Sequence, residues 1–132
     1  LMSRVDDPFL KKYYWKVTRP LKIAALKSEA QGLVGRHDFK AFQARAEKSL
    51  VKSTVRTIKR LKIRKKGRFL FIDIEADGFI YNMVRNIVGT LVEVGRGHMP
   101  KGSVKRILHS RNRQKAGPTA PAKGLTLLKV KY

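Results

Sequence analysis

The clearest hydrophobic pattern in the chain runs from Phe69 to Gly97 and predicts a strand followed by an amphipathic helix. Residues 69–76 alternate between two faces, with Phe69, Phe71, Asp73 and Glu75 on one and Leu70, Ile72, Ile74 and Ala76 on the other. Asp77 and Gly78 then interrupt the alternation as a turn does. Beyond them, apolar residues recur at helical spacing and form a single stripe: Ile80, Met83, Val84, Ile87, Leu91 and Val94. Gly95 and Gly97 mark the end of this predicted helix.

Weaker patterns before this stretch predict three further elements. Aromatic and β-branched residues at 13–17 indicate a short strand, and Pro20 precedes a helix that ends near Gly35. Val55–Arg64 alternates imperfectly, which favours another strand. A tight turn at residues 65–67, with a glycine in the left-handed region, joins it to the strand described above and makes a hairpin.

The last third of the chain has the pattern of a helix, a loop and a strand. Residues 100–109 predict a short helix, the Pro- and Gly-rich residues 117–124 a loop, and residues 125–132 a closing strand. The order is therefore strand, helix, strand, strand, helix, strand, with a short extra helix before the last strand. This is the α+β, ferredoxin-like βαββαβ arrangement, an antiparallel sheet with helices on one face. We expect one domain over residues 13–132, preceded by a lead-in segment at residues 1–12.

Among the properties of the composition, the net charge says most about the kind of partner that the protein binds. The chain has 31 Lys and Arg residues against 9 Asp and Glu, a formal net charge of +22, which indicates a polyanionic partner and most often nucleic acid. A charge run is usually a solvated face, but a basic hairpin on so positive a protein favours phosphate contact. The residues that we predict to bind RNA lie in the hairpin and in the segment after the long helix: Arg56, Lys59, Arg60, Arg64, Lys65, Lys66, Arg96, Lys105, Arg106, Arg111 and Arg113.

Several classes of function are excluded or disfavoured by what the sequence lacks. Without cysteine there are no disulfides, no thiolate catalysis and no zinc ribbon, and the three histidines have no metal-ligand spacing. No apolar run reaches the roughly 20 residues that span a bilayer, and no basic amphipathic helix suggests a membrane surface. No secretory signal is visible, so the default is a cytosolic or organellar matrix compartment, and we predict a cytoplasmic protein.

Two groups in the sequence have both a structural and a chemical interpretation. His37 and Asp38 suggest acid–base chemistry, but neighbouring residues rarely form a productive pair and Asp38 is a natural cap for the next turn. Arg85 lies mid-helix beside the apolar stripe, where it needs either water or a carboxylate partner. The spacing alone favours a surface arginine whose stem covers apolar residues.

Four segments occur in an order that resembles the C-terminal half of the TruA-type tRNA pseudouridine synthases. They are GRHDFKAF at 35–42, STVRTI at 53–58, DIEADGFIYNMVRNIVGTLVEVGRG at 73–97 and AGPTAPAKGLTL at 116–127. The elements FIYNMVRNIVG and GPTAPAKGL are highly specific for that family, whereas the other two are weaker. Thr54 departs from the proline that the family usually has at this position.

The resemblance implies an isomerase that converts uridine to pseudouridine near the anticodon stem-loop of tRNA, without cofactor or metal. Such enzymes use a catalytic aspartate within an Arg-Thr-Asp-x-Gly-Val-like motif in their N-terminal half. This sequence has no such motif, since Arg4-Val5-Asp6-Asp7 is followed by Pro8 and not by glycine. We therefore expect the nucleophile to lie in an N-terminal domain outside this chain, and the chain alone to be inactive.

The resemblance also assigns site residues. Arg85 matches the family arginine that pairs with the catalytic aspartate across the domain cleft, and a guanidinium there favours the ionised carboxylate. Leu125 matches the position whose apolar side chain packs against the target base. Tyr81 and Asn82 are placed to flank the pocket, although Tyr81 has an equally good interpretation as helix packing.

Other interpretations of the sequence remain open. The same fold can grip RNA without catalysis, which makes a non-catalytic basic RNA-binding module the main alternative to the enzyme. A basic ribosome-associated protein fits the charge, but it gives no reason for Arg85 and GPTAPAKGL to match the family. As partners we predict tRNA, the N-terminal domain and, by resemblance, a second copy of the protein in a homodimer, but no membrane.

Overall fold

The structure is a computed structural model that describes residues 2–3, 15–17, 20–43, 53–67, 69–80 and 82–121. The strands in these ranges are β1 (Met2–Ser3), β2 (Trp15–Lys16), β3 (Gly35–Asp38), β4 (Val55–Lys66) and β5 (Phe69–Ala76). The helices are α1 (Ile23–Gln31), α2 (Met83–Gly95) and α3 (Ser103–Ser110), with short 3₁₀ turns at Lys40–Phe42 and Arg113–Lys115.

The strands form one sheet in the order β2-β1-β5-β4-β3. The three longest strands, β3, β4 and β5, pair antiparallel, whereas β1 and β2 pair parallel over two residues. This α+β architecture confirms the predicted ferredoxin-like class. The predicted closing strand at 125–132 lies outside the described residues, and so does most of the predicted lead-in segment.

The long helix predicted from the apolar stripe is α2, which begins at Met83 and ends at Gly95. Met83, Ile87 and Leu91 are completely buried, because their spacing aligns them on the face that meets the sheet and the other helices. The predicted short helix is α3, and its three apolar residues Val104, Ile107 and Leu108 are buried as expected. One apolar core therefore lies between the sheet and these helices.

The predicted hairpin is formed by β4 and β5, with Gly67 at its turn in the left-handed region at φ 60°. The pairing shifts between Ile58 and Arg60, so that Lys59 is the extra residue of a β-bulge. Ile58, Leu61 and Ile63 face the core, while the basic residues of β4 face outward. The hairpin thus carries a core face and a charged face between Ile58 and Arg64 of β4, and the strand ends in three exposed basic residues.

Two strands in the structure were not predicted from the sequence. β1 pairs with the start of β5, Met2 opposite Leu70 and Ser3 opposite Phe69. β3 pairs with the start of β4, and its sequence GRHD gave no strand signal because it is short, polar and free of alternating apolar residues. The turn predicted to follow Asp38 is confirmed, since a 3₁₀ turn begins at Lys40, directly after β3 and Phe39.

A buried carboxylate joins α1 to α3. The side chain of Glu29 is only 7% exposed, and its carboxylate accepts hydrogen bonds from the amides of Gly102 and Val104, the second at 3.2 Å. These amides belong to the first turn of α3, where a helix has no internal acceptors for them. Glu29 therefore caps α3 from a different helix and fixes the position of the basic residues that α3 carries.

We expect Glu29→Ala to lower the free energy of unfolding by about 2 kcal/mol, because two buried amides lose their acceptor. Urea unfolding of the variant measures this loss. Ser28→Ala, an exposed change on the same helix, is the matched control and should change the free energy of unfolding by less than about 0.5 kcal/mol. An equal effect of the two substitutions would show that Glu29 does not act as a cap.

Candidate active site and nucleic-acid surface

Arg85 lies on the first turn of α2, half-buried between the start of the helix and the loop at residues 117–121. Its Nε donates a hydrogen bond to the carbonyl of Ala120 at 2.8 Å, and its Nη1 donates to Oδ1 of Asn82 at 3.2 Å. The amide of Ala120 in turn donates to the carbonyl of Arg85 at 3.0 Å. The guanidinium is thus held at two of its three nitrogens, and among the described residues Nη2 has no acceptor.

Asn82 has an unusual backbone conformation for a residue other than glycine, with φ 57° and ψ 13°. Asparagine adopts this left-handed region more readily than most residues, yet the conformation still costs about 1 kcal/mol. It lets the carbonyl of Asn82 accept from the amide of Asn86 at 2.9 Å while the side chain of Asn82 reaches Arg85. Asn82 is thus the residue that precedes α2, and its side chain also orients Arg85.

The loop at residues 117–121 lies directly against α2, and two glycines permit this close approach. A Cβ on Gly89 would lie 1.6 Å from the carbonyl oxygen of Pro118, and one on Gly117 would lie 2.9 Å from Cα of Thr90. No larger residue fits at Gly89 unless the loop backbone moves. The hydroxyl of Thr90 accepts from the amide of Gly117 at 2.9 Å, which adds a polar contact to the packing.

A polar network joins the same loop to the core. Asn86 is completely buried; its Nδ2 donates to the carbonyl of Phe42 at 2.7 Å, and its Oδ1 accepts from the hydroxyl of Thr119 at 2.6 Å. Arg113 donates to the same Oδ1 at 3.0 Å, to the hydroxyl of Thr119 at 3.1 Å and to the carbonyl of Gly117 at 3.0 Å. A buried amide needs such partners, so this network determines where the loop sits.

His37 and Asp38 have structural partners. The ring of His37 contacts the carbonyl of Val34 through Nε2 at 3.0 Å. Asp38 accepts from the amide of Lys40 at 3.0 Å, as a cap of the following turn does, and from the hydroxyl of Thr54. Among the residues that the structure describes, no three His, Cys, Asp or Glu side chains lie close enough together to hold a metal ion.

Eight of the eleven basic residues that were predicted to bind RNA are exposed: Lys59, Arg60, Arg64, Lys65, Lys66, Lys105, Arg106 and Arg111. The guanidinium of Arg64 pairs with Asp73 at 2.9 Å and lies 5.0 Å from the centre of the Phe71 ring. Arg111 pairs with Asp38 at 3.5 Å, and its side chain is 67% exposed. These pairs are exposed, so solvent screens them and a phosphate competes readily for either arginine.

The other three predicted RNA-binding residues have contacts inside the chain. Arg56 donates to the carbonyl oxygens of Ser53 and Val55 at 2.9 and 2.7 Å. Arg96 pairs with Glu93 at 3.3 Å and is mostly buried, while Arg113 belongs to the loop network described above. RNA binding by these three stays a prediction, and the structure gives each of them an internal contact as well.

Two of the predicted site residues, Tyr81 and Leu125, lie outside the described residues. The structure brings the other two, Arg85 and Asn82, into contact with each other, and Arg85 also contacts Ala120 of the GPTAPAKGL element. The part of that element described here ends at residue 121.

Comparison with known proteins decides the family. A sequence model of the family described as tRNA pseudouridine synthase matches residues 30–132. The chain belongs to the tRNA pseudouridine synthase family. It is 47% identical over 132 residues to tRNA pseudouridine synthase A of Thermoanaerobacter sp. (strain X514), and 43% identical over 130 residues to the enzyme of the same name from Moorella thermoacetica.

The alignments with these synthases cover 100% and 98% of this chain but only 53% and 52% of the relatives. A third relative, tRNA pseudouridine synthase A of Acidiphilium cryptum, is 42% identical, with 100% of this chain and 51% of the relative aligned. The chain thus spans about half the length of the synthases that it matches. Among the described residues, no helix has the length and apolar character needed to cross a bilayer.

The sequence did not reveal three residues that shape this candidate site. Asn86 is a polar residue next to the apolar stripe, and nothing in the pattern distinguishes a buried amide from an exposed one. Gly89 carried a usable signal, since an isolated glycine inside a strong helix often marks a close backbone approach. Thr119 has no sequence signal of its own, because its role depends on a contact with Asn86 from a loop distant in sequence.

Proposed function

We propose that this chain is the part of a tRNA pseudouridine synthase that supplies the cleft arginine and much of the RNA-binding surface. The reaction breaks the bond between C1′ of the ribose and N1 of the uracil, turns the base, and joins C1′ to C5. C5 loses its proton and N1 gains one, so that the product is an isomer of the substrate. The reaction therefore needs no external oxidant or reductant.

The observation that carries the proposal is the geometry of Arg85. Its hydrogen bonds to Ala120 and Asn82 fix the plane of the guanidinium, and Nη2 has no acceptor among the described residues. A planar, oriented guanidinium with a free edge suits a carboxylate, which it binds through parallel hydrogen bonds. We assign that carboxylate to the catalytic aspartate of the family, supplied by residues outside this sequence.

Pairing with Arg85 has a chemical purpose. Removal of water from the pocket raises the pKa of a carboxylate, whereas a neighbouring guanidinium lowers it and so keeps the aspartate ionised. Nucleophilic attack or proton removal by the aspartate needs this ionised form. Arg85 would therefore both hold the aspartate in place and keep it reactive, while the rigid start of α2 prevents the guanidinium from turning away.

The exposed basic residues of the hairpin and of α3 suit the phosphates of tRNA. In the hairpin, exposed basic residues alternate with core residues between Leu61 and Arg64 of β4, and Lys65 and Lys66 extend the charged surface to the turn. Contacts of this kind position RNA without reading its sequence, and their affinity decreases steeply with salt. The target uridine must leave its base stack to reach the pocket. Unstacking costs a few kcal/mol, and the cost is smallest for an unpaired base in a loop.

Release of tritium tests the function. The full-length enzyme that carries this chain is mixed with tRNA labelled with tritium at C5 of uridine, and tritium in solvent is measured against time. We expect release in proportion to pseudouridine formed. tRNA binding by a folded protein without release would instead favour the second candidate, a non-catalytic RNA-binding module, which the charge of +22 alone also supports.

A further inference from the structure

We propose that Arg113 is a positioning residue of the active site, which acts by holding the loop at residues 117–121 against α2. This inference rests on the proposed function, since the loop matters because it orients Arg85. From the sequence alone, Arg113 was one of several basic residues expected to contact phosphate. Its contacts inside the chain indicate a different role, with a different experimental signature.

Arg113 forms hydrogen bonds that tie the loop at residues 117–121 to α2, a role that we call a brace. Nη1 donates to the carbonyl of Gly117 at 3.0 Å, while Nη2 donates to Oδ1 of Asn86 at 3.0 Å and to the hydroxyl of Thr119 at 3.1 Å. One planar group thus contacts both ends of a three-residue stretch of loop and a buried residue of α2. The arrangement uses the fixed fork of a guanidinium, which a lysine ammonium does not have.

The contacts of Arg113 lead to Arg85 through one short path. Thr119, which Arg113 and Asn86 hold between them, is followed directly by Ala120. The carbonyl of Ala120 accepts from Nε of Arg85 at 2.8 Å, and the amide of Ala120 donates to the carbonyl of Arg85 at 3.0 Å. Release of the loop by loss of Arg113 would therefore remove the contact that sets the plane of the Arg85 guanidinium.

The two roles of Arg113 predict opposite behaviour for lysine in its place. A phosphate contact needs the positive charge, so that Arg113→Lys should restore most of the tRNA affinity that Arg113→Ala loses. Holding the loop needs a planar guanidinium that donates to three acceptors in fixed directions. Arg113→Lys should therefore lower the single-turnover rate nearly as much as Arg113→Ala. Thr119→Val adds a milder test, because it removes one hydroxyl of the network while nearly keeping the side-chain shape.

The experiment uses the full-length enzyme and measures three quantities for each variant. They are the single-turnover rate at saturating tRNA, the dissociation constant for tRNA as a function of salt, and hydrogen exchange at the amides of Gly117 and Ala120. For Arg113→Ala and Arg113→Lys we expect the rate to decrease about 100-fold, with the dissociation constant within about twofold of the wild type. The two amides should exchange at least about tenfold faster, because their acceptors Thr90 and Arg85 are no longer held close.

The control is Lys27→Ala, which removes one charge from an exposed position of α1 and should leave all three quantities unchanged. The proposal is overturned if Arg113→Ala keeps the saturating rate, raises the dissociation constant and lowers the slope of log affinity against log salt by about 0.9, the mark of one lost phosphate contact. Unchanged exchange at Gly117 and Ala120 overturns it too. Absence of activity in the wild type would instead contradict the proposed function, while the exchange result still tests the brace.

Discussion

Arg85→Ala in the full-length enzyme is expected to lower the single-turnover rate of pseudouridine formation at least about 1,000-fold, with tRNA binding nearly unchanged. The reason is that the substitution removes the proposed partner of the catalytic aspartate but leaves the exposed basic surface intact. Tritium release at saturating tRNA gives the rate, and a filter-binding titration gives the affinity. Stability should decrease little, because Arg85 is only half-buried and makes its two contacts at the edge of the core.

Arg85→Lys is the matched variant for this prediction. A lysine keeps the charge but cannot bind Ala120, Asn82 and a carboxylate together, so we expect a rate between those of the wild type and Arg85→Ala. A large loss of tRNA affinity with a normal rate at saturation would contradict the assignment. In that case Arg85 would be a phosphate contact, and the carboxylate partner would have to be sought elsewhere.

Gly89→Ala is expected to displace the loop at residues 117–121 and to decrease the single-turnover rate about 100-fold. A Cβ at this position would lie 1.6 Å from the carbonyl oxygen of Pro118, which is backbone and cannot turn aside as a side chain does. Overpacking of this kind costs about 3 kcal/mol, more than the roughly 1 kcal/mol by which alanine improves on glycine inside a helix. The variant should therefore lose stability as well as activity, as urea unfolding and tritium release would show.

Gly95→Ala provides the control on the same helix. The three atoms nearest to its Cβ would be side-chain atoms of Leu26 and Leu21, at 3.1 to 3.3 Å, and these can adjust. We expect a normal rate and a smaller change in stability than that of Gly89→Ala. A normal rate for Gly89→Ala in a folded protein would mean that the position of the loop does not limit catalysis, and it would also weaken the case for Arg113 as a brace.

The elements that the sequence predicted correctly are those with strong periodicity. α2 was predictable because its apolar residues recur along one face over the length of a full helix. The hairpin was predictable because two strand patterns flank a glycine that the turn places in the left-handed region. β3 was missed because its four residues are too few and too polar for a period to be visible.

The site was only partly predictable, for a physical reason. Arg85 became a candidate only through its resemblance to a family motif, since the helical pattern alone favoured an ordinary surface arginine. The internal role of Arg113 was not foreseen, because a count of charges cannot tell which guanidinium points inward. Such contacts join residues distant in the sequence, Asn86 to Thr119 for example, and no local propensity encodes them.

On the proposed function, β5 lies between the basic hairpin turn and the place where the target uridine would react. The strand leads away from the turn at Gly67, and residues 77–82 connect its other end to α2, which carries Arg85 on its first turn. Eight residues of extended chain span about 25 Å. An RNA that contacts both ends must itself bridge this distance as a folded body. On the proposed function, the hairpin would therefore favour substrates by their extent and shape rather than by the identity of their bases.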